Sequence, residues 1–306
     1  MEERQIELII SIIICTYNRG RYIYGLLESI AKNAFDTAKY EIIFVNNKST
    51  DNTELECKRF QQDYPDVVFH YFMEENQGLS FARNRGIKES QGKMLVFIDD
   101  DALVNNQYLS NLEKHILQTD ISAFGGKITP KYEAEAPNWV SSWSLSWFSS
   151  IDMGDKVKLF QKGKFPIGAN MGISKELASR IAPFDTNLGR NKGNMIGGEE
   201  KEYFLRIQRN GTPIYYLPDV QIEHCIPKER TTRQFIKKQA LGIGKSEQIR
   251  TKSISSIKYL QRIFAEFIKW GVTILLFFYY TITLSPMKGW MLIYFRWNVS
   301  KGLLGC

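Results

Sequence analysis

Histidine and cysteine are scarce: the 306 residues hold 3 histidines and 4 cysteines. Cys15, Cys57, Cys225 and Cys306 form no C-x-x-C pair, so neither a zinc site nor a disulfide framework is suggested, and a reducing compartment fits the chain. No internal repeat or low-complexity tract appears, and the first strand-like segment is followed by no Gly/Lys-rich phosphate loop. The N-terminus, MEERQIELII, sets acidic residues before a short apolar run. That is the wrong order for a secretory signal, so the working domain is expected in the cytosol.

What is present is a globular composition, 43% apolar and 24% charged, in a chain long enough for one large domain or two modest ones. The net charge of +7 is unevenly spread. Residues 1–200 carry 23 basic and 27 acidic side chains, whereas residues 201–306 carry 17 and 6. A phosphate, anionic-lipid or nucleic-acid partner for the positive charge is therefore sought in the last third.

Apolar runs of strand length occupy residues 8–15 (LIISIIIC), 40–45 (YEIIFV), 67–72 and 94–98 (MLVFI), with helix-length stretches at 21–32, 53–64 and 80–90 between them. Strands apolar at nearly every position, alternating with helices, predict a doubly wound parallel sheet covered on both faces. In such sheets ligands sit beyond the carboxyl ends of the strands. The residues to examine are therefore Thr16, Tyr17 and Asn18, then Asn46 and Asn47, then Asp99, Asp100 and Asp101.

Further along, a helix is expected at about 106–118, a strand ending in Gly125-Gly126, a Gly-rich loop GRNKGNMIGGEE leading into a helix, and a strand at 213–217. Trp139, Trp143 and Trp147 recur at a spacing of four, which predicts one helical face that either packs into the interior or offers a stacking platform to an acceptor.

Three adjacent aspartates after a buried strand repel one another unless a cation or solvent shields them. They therefore suit Mg²⁺ or Mn²⁺ shared with substrate phosphates. The competing explanation is a helix N-terminus, where aspartate is a favoured cap.

Several stretches, in order, resemble the family 2 glycosyltransferases of the GT-A fold, of the bacterial cell-surface or exopolysaccharide type: SIIICTYNR, EIIFVNNKSTDNT, NQGLSFARNRGI, FIDDDALV, GANMGISKE, GGEEKEYFLRIQRNG and VQIEHCIPKERTTRQF. The likeness covers roughly residues 8–250. It implies an inverting, metal-dependent transfer of a sugar from a nucleotide diphosphate sugar, with UDP as the expected nucleotide, to a hydroxyl of a glycan or lipid-linked acceptor. Thr16, Tyr17, Asn18, Arg19, Asn46, Asn47, Arg83, Asp99 and Asp100 would then bind the donor. Asp101 and His224 would ligate Mn²⁺ or Mg²⁺, and Arg230, Arg233 and Lys237 would either clamp the diphosphate or face solvent or lipid.

Glu200, preceded by Glu199, occupies the position of the base that takes the acceptor proton. Departures from the family pattern are Cys15 for proline, Asn46 for the aspartate that reads uracil, and glutamate for aspartate at the base. Simpler roles stand beside these: Arg83 on a solvated helix face, Glu199 and Glu200 opening a helix where acids suit the dipole, and His224 as a structural histidine.

The organisation expected is a GT-A catalytic domain at 1–227 (nucleotide-binding half about 1–105, acceptor half about 106–227), a basic helical segment at 228–262 and an apolar tail at 263–306. Residues 228–269 hold 11 basic and 3 acidic side chains. The uncharged run at 270–285 has 16 residues, short of the ~20 that cross a bilayer. A hairpin in one leaflet, a transmembrane helix and a buried oligomer interface all fit this tail, and the cationic stretch beside it suits an anionic membrane surface at the cytoplasmic face. No nucleic-acid partner is expected, and the oligomeric state is left open. The competing functions are a nucleotidyltransferase of similar fold and a non-enzymatic membrane- or polyanion-binding module.

Overall fold

The computed structural model describes residues 7–119, 121–190 and 197–305. The first six residues, the centre of the Gly-rich loop (191–196) and Cys306 lie outside them. The chain divides into two compact units. The first comprises Met1–Pro130, Ser149–Asn187 and Glu199–Cys225, and the second Lys131–Phe148, Leu188–Gly198 and Ile226–Cys306.

The first unit opens with β1 (Ile10–Thr16), α1 (Gly20–Ala31), β2 (Tyr40–Asn46), α2 (Thr53–Asp63), β3 (Phe69–Met73), α3 (Leu79–Glu89) and β4 (Met94–Asp99). It continues through β5 (Ala102–Val104), α4 (Tyr108–Thr119), β6 (Ala123–Tyr132), β7 (Lys158–Leu159), β8 (Asn170–Ser174), α5 (Lys175–Arg180), α6 (Glu199–Arg209) and β9 (Tyr215–Ile226). Among the described residues these strands form one sheet in the order β3-β2-β1-β4-β8-β6-β9-β5, with β7 on β9. β1 runs parallel to β2 and β4, and β2 parallel to β3. β8 joins β4 and β6 antiparallel, and β5 pairs antiparallel with β9.

Because side chains alternate across a strand, a run apolar at every position feeds two cores. Ile10, Ile12 and Ile14 of β1 join Ile42, Phe44, Val96 and Ile98 in one. Ile13 joins Ile43, Val45, Leu95 and Phe97 in the other.

Three local expectations change. The strand expected to end at Gly125-Gly126 instead runs through them to Tyr132. Gly126 leaves room for the Asn170 amide, which donates to Lys127 O and Val220 O, and Gly125 for Pro166. The strand expected at 213–217 extends to Ile226, with β7 pairing before Pro218 and β5 after it. The three tryptophans do not share a helical face. Ser141 N donates to Ser144 Oγ, which itself donates to Ser141 O, and such local bonds compete with helix formation. Only Leu145–Phe148 winds, as a single 3₁₀ turn. Trp139 and Trp147 are buried, their ring centres 6.0 Å apart, as the packing explanation requires, whereas Trp143 is 55% exposed.

The second unit is built on α7 (Arg233–Ile254), α8 (Ser256–Ile282) and α9 (Pro286–Leu304). Thr232 and Ser255 cap α7 and α8 through their hydroxyls, and Pro286 starts α9, where its missing N–H costs nothing. Trp147 stacks on Phe295 at 4.1 Å within the core of this unit, alongside Ile236, Tyr280 and Met291.

Candidate active site

The parallel register sets Thr16 beside Asn46 and Cys15 beside Asp99, so the ends of β1, β2 and β4 converge on one edge of the sheet. Asp99 ends β4, and the strand β5 follows the three aspartates at once, so they do not cap a helix. Thr16 Oγ1 donates to Asp100 Oδ2 at 2.7 Å. Asp101 is buried, with Arg19 Nη1 3.4 Å from its Oδ2.

The β5–β9 ladder places Ala102 opposite His224, and Cys225 N donates to Asp101 O at 2.7 Å. This pairing brings His224 Nε2 within 2.9 Å of Asp101 Oδ1, joining residues far apart in sequence. Among the described residues, Asp99, Asp101 and His224 each offer a ligand atom within 4.8 Å of the others. Two carboxylates and one imidazole form a donor set that fits Mn²⁺ well, whereas Mg²⁺ favours oxygen alone.

The aspartates crowd one another. Asp100 is pushed up to about 7, chiefly by burial and then by Asp101, against the pull of Arg19 and the Thr16 hydroxyl. Burial likewise pushes the Cys15 thiol up to about 12, which makes it a poor nucleophile.

Arg83 does not lie on a solvated helix face. It is 3% exposed, and its Nη1 donates to Glu199 Oε1 at 2.8 Å while its Nη2 lies 3.6 Å from Asp99 Oδ1. It therefore ties the metal-type cluster to the start of α6. Gly168 makes the space for this: a Cβ there would fall 2.2 Å from Arg83 Nη2. Gly168 opens the GANMGISKE stretch, but the reason glycine is needed there exists only once Arg83 is folded against it.

Glu199 and Glu200 do open α6, with the acids at its positive end. Glu199 is buried against Arg83, whereas Glu200 is partly exposed. Although part of Glu200 meets solvent, its carboxyl is enclosed, and that desolvation raises it to about 8, with the charge of Glu199 adding to it and Arg83 opposing both. A carboxyl that titrates near neutrality is suited to accept a proton.

The second-strand asparagines are committed to the backbone around them. Asn46 Nδ2 donates to Tyr71 Oη and its Oδ1 accepts from Ser49 N. Asn47 Nδ2 donates to Glu74 O and Asn76 O, and its Oδ1 accepts from Gly78 N. Asn18, in left-handed backbone at φ 54°, receives Thr50 N on its side-chain oxygen and donates its own N–H to Ser49 Oγ. Asp51 accepts from Gly20 N and from Thr53, stapling the turn after β1 to the start of α2. The STD triplet of NNKSTDNT is the signal for that staple. Tyr17 is half-buried beside Asn18. Arg230 and Arg233 belong to the second unit, Arg230 lying 5.9 Å from the Phe235 ring and Arg233 exposed at the start of α7, as is Lys237 one turn on.

Known proteins resemble this chain in sequence and in fold. The family model described as Glycosyl transferase family 2 matches residues 11–182. The glucosyl-dolichyl phosphate glucuronosyltransferase of Haloferax volcanii is 23% identical over 246 residues, 78% of this chain and 76% of that protein. The succinoglycan biosynthesis protein ExoM of Rhizobium meliloti is 24% identical over 241 residues, 78% of this chain and 73% of that one. The mannosyltransferase PcManGT of Pyrobaculum calidifontis, solved in complex with GDP-Man and Mn²⁺, superposes with a TM-score of 0.66 at 18% identity, over 98% of this chain and 88% of that chain.

Proposed function

From the premise that the chain belongs to glycosyl transferase family 2 and is a glycosyltransferase of the GT-A fold, we propose that it moves a sugar, with inversion, from a nucleotide diphosphate sugar to a hydroxyl of a glycan or lipid-linked acceptor at the cytoplasmic face of a membrane. The observation that carries this is the convergence of Asp99, Asp101 and His224 beside the Arg83–Glu199 pair at the strand ends, with Glu200 next in the chain. The glucuronosyltransferase relative, named for a lipid-linked acceptor, and the mannosyltransferase neighbour, holding GDP-Man and Mn²⁺, support the same reading.

Glu200 accepts the proton of the acceptor hydroxyl as that oxygen forms its bond to the anomeric carbon. The bond from that carbon to the diphosphate breaks, and the nucleoside diphosphate departs with the electron pair. Asp99, Asp101 and His224 would hold Mn²⁺ or Mg²⁺, which would supply positive charge to stabilise the departing diphosphate. Thr16 fixes Asp100, Arg19 balances Asp101, and Arg83 holds Glu199 so that the neighbouring Glu200 is presented at the start of α6. Tyr17, Asn18, Asn46 and Asn47 shape the donor pocket chiefly through the loops they hold.

The experiment is a thermal-shift screen of UDP and GDP sugars with Mn²⁺, because a ligand that binds only the folded state raises its melting temperature. A shift that requires one nucleotide sugar together with Mn²⁺ identifies the donor. Analysis of turnover products then separates this function from nucleotidyl transfer, which releases pyrophosphate.

A further inference from the structure

We propose that α8 lies flat in one leaflet of an anionic membrane, as an in-plane anchor that does not cross the bilayer. This deepens the membrane part of the function above and rests on it only for the presence of a membrane, not for the chemistry.

α8 is long and apolar enough to span, with a mean hydropathy of 1.5 over its most apolar stretch. Its two faces nevertheless differ. Ile257, Leu260, Phe264, Phe267, Leu275 and Phe278 are all exposed, at steps of three, four or eight residues that keep them on one face. They form one stripe along a helix of 27 residues, about 40 Å long. Glu266, Thr273 and Tyr280, seven residues apart, are buried on the other side.

That inner face is fastened by ion pairs to both neighbouring helices. Glu266 pairs with Arg262 at 2.8 Å and with Arg296 of α9 at 3.0 Å. Arg262 also pairs with Glu247 of α7 at 3.0 Å, and Glu247 with Arg250. α7 and α9 touch backbone to backbone: a Cβ on Gly244 would fall 2.1 Å from Val299 O, and one on Gly302 2.2 Å from Leu241 O.

α8 therefore cannot cross alone. To span, it would either carry α7 with its exposed Lys237, Lys238, Lys245 and Lys252 into hydrocarbon, or tear away and take Glu266 and Arg262 there without their partners Arg296 and Glu247. Both are strongly disfavoured. Lying flat keeps every ion pair and buries only the stripe.

The edges of the stripe match the headgroup layer. Lys258 and Lys269 are exposed along α8, and Lys301 sits 5.5 Å from the ring of exposed Trp297, itself paired with Trp270. Cations beside aromatics suit anionic lipid. Two copies meeting stripe to stripe would instead bring like charges together.

The test is flotation of the full-length protein with phosphatidylglycerol/phosphatidylcholine vesicles, with pure phosphatidylcholine vesicles as the control. The anchor predicts recovery with the anionic vesicles, at least tenfold less with the neutral ones, and complete release by alkaline carbonate. Phe264→Asp with Phe267→Asp should cut flotation at least tenfold while leaving the melting temperature and transfer to a soluble acceptor unchanged, since both side chains face outward. Retention after carbonate, with a protease-protected fragment covering α8, would overturn the proposal in favour of a spanning helix. Failure of the wild type to float, with a dimer that the double variant dissociates, would overturn it in favour of self-association. Neither outcome bears on the transfer reaction, which is read separately.

Discussion

Replacing Gly168 with alanine is the sharpest probe of how the site is held. The added Cβ would lie 2.2 Å from Arg83 Nη2 and 3.2 Å from Cζ. An exposed arginine would swing aside at little cost. Arg83 is 3% exposed, bonded to Glu199, close to Asp99, and 5.6 Å from the Phe184 ring, so its guanidinium has nowhere to go without breaking those contacts. Glu199, whose Oε2 already has no hydrogen-bond partner among the described residues, would then be a buried charge without its cation. Removing one member of a buried pair costs ~3–5 kcal/mol, a large share of the ~5–15 kcal/mol that holds a typical domain folded. The expected loss in melting temperature is roughly 5–10 °C.

Arg83 also lowers the pKa of Glu200, so its displacement should move the acidic limb of kcat/KM to higher pH. Urea titration and a pH–rate profile read the two effects. The decisive control is the same substitution in an Arg83→Ala background, where Gly168→Ala should cost less than about 0.5 kcal/mol because the clashing group is gone. A wild-type melting curve for Gly168→Ala, or an equal cost in both backgrounds, would refute the reasoning.

Glu200→Gln should lower kcat by roughly 10²–10⁴-fold with the fold intact by circular dichroism, and intact catalysis would remove Glu200 from the base role. In chelator, the folded pKa of Glu200, about 8 against an ordinary 4.5, means that the folded chain binds a proton the unfolded one releases, so stability should fall as pH rises across that window. Glu200→Gln should flatten that slope in urea titrations at several pH values. Mn²⁺ should raise the melting temperature of the wild type but not of Asp101→Asn, and an equal rise in both would place the cation elsewhere. Trp147→Ala, which removes the ring stacked on Phe295, should destabilise the helical unit by about 3–5 kcal/mol, measured by denaturant unfolding.

The parallel strands were legible because each is apolar at nearly every position: β1, β2 and β4 begin and end within two residues of where the runs place them. The same pattern pointed to Thr16, Asn46 and Asp99 as strand-end residues. What it could not supply was cross-chain geometry. His224 meets Asp101 only through the pairing of β5 with β9, and family resemblance rather than periodicity brought it forward. The resemblance points Arg83 toward the donor but does not show that its guanidinium is also held by Glu199, 116 residues away. The tryptophans misled because spacing reports helical periodicity only where a helix forms, and the serines between them bind the local backbone instead. The amphipathic division of α8 was hidden in an apolar run and emerged only when Glu266 and its arginine partners were found on one side.

The most direct test of the central claim is product analysis of the purified protein with Mn²⁺, the donor identified by thermal shift and an acceptor hydroxyl. Nucleoside diphosphate should appear in step with glycosylated acceptor of inverted anomeric configuration, and both should be lost in Asp101→Ala and in Glu200→Gln. Release of pyrophosphate, or full transfer by both variants, would contradict the account.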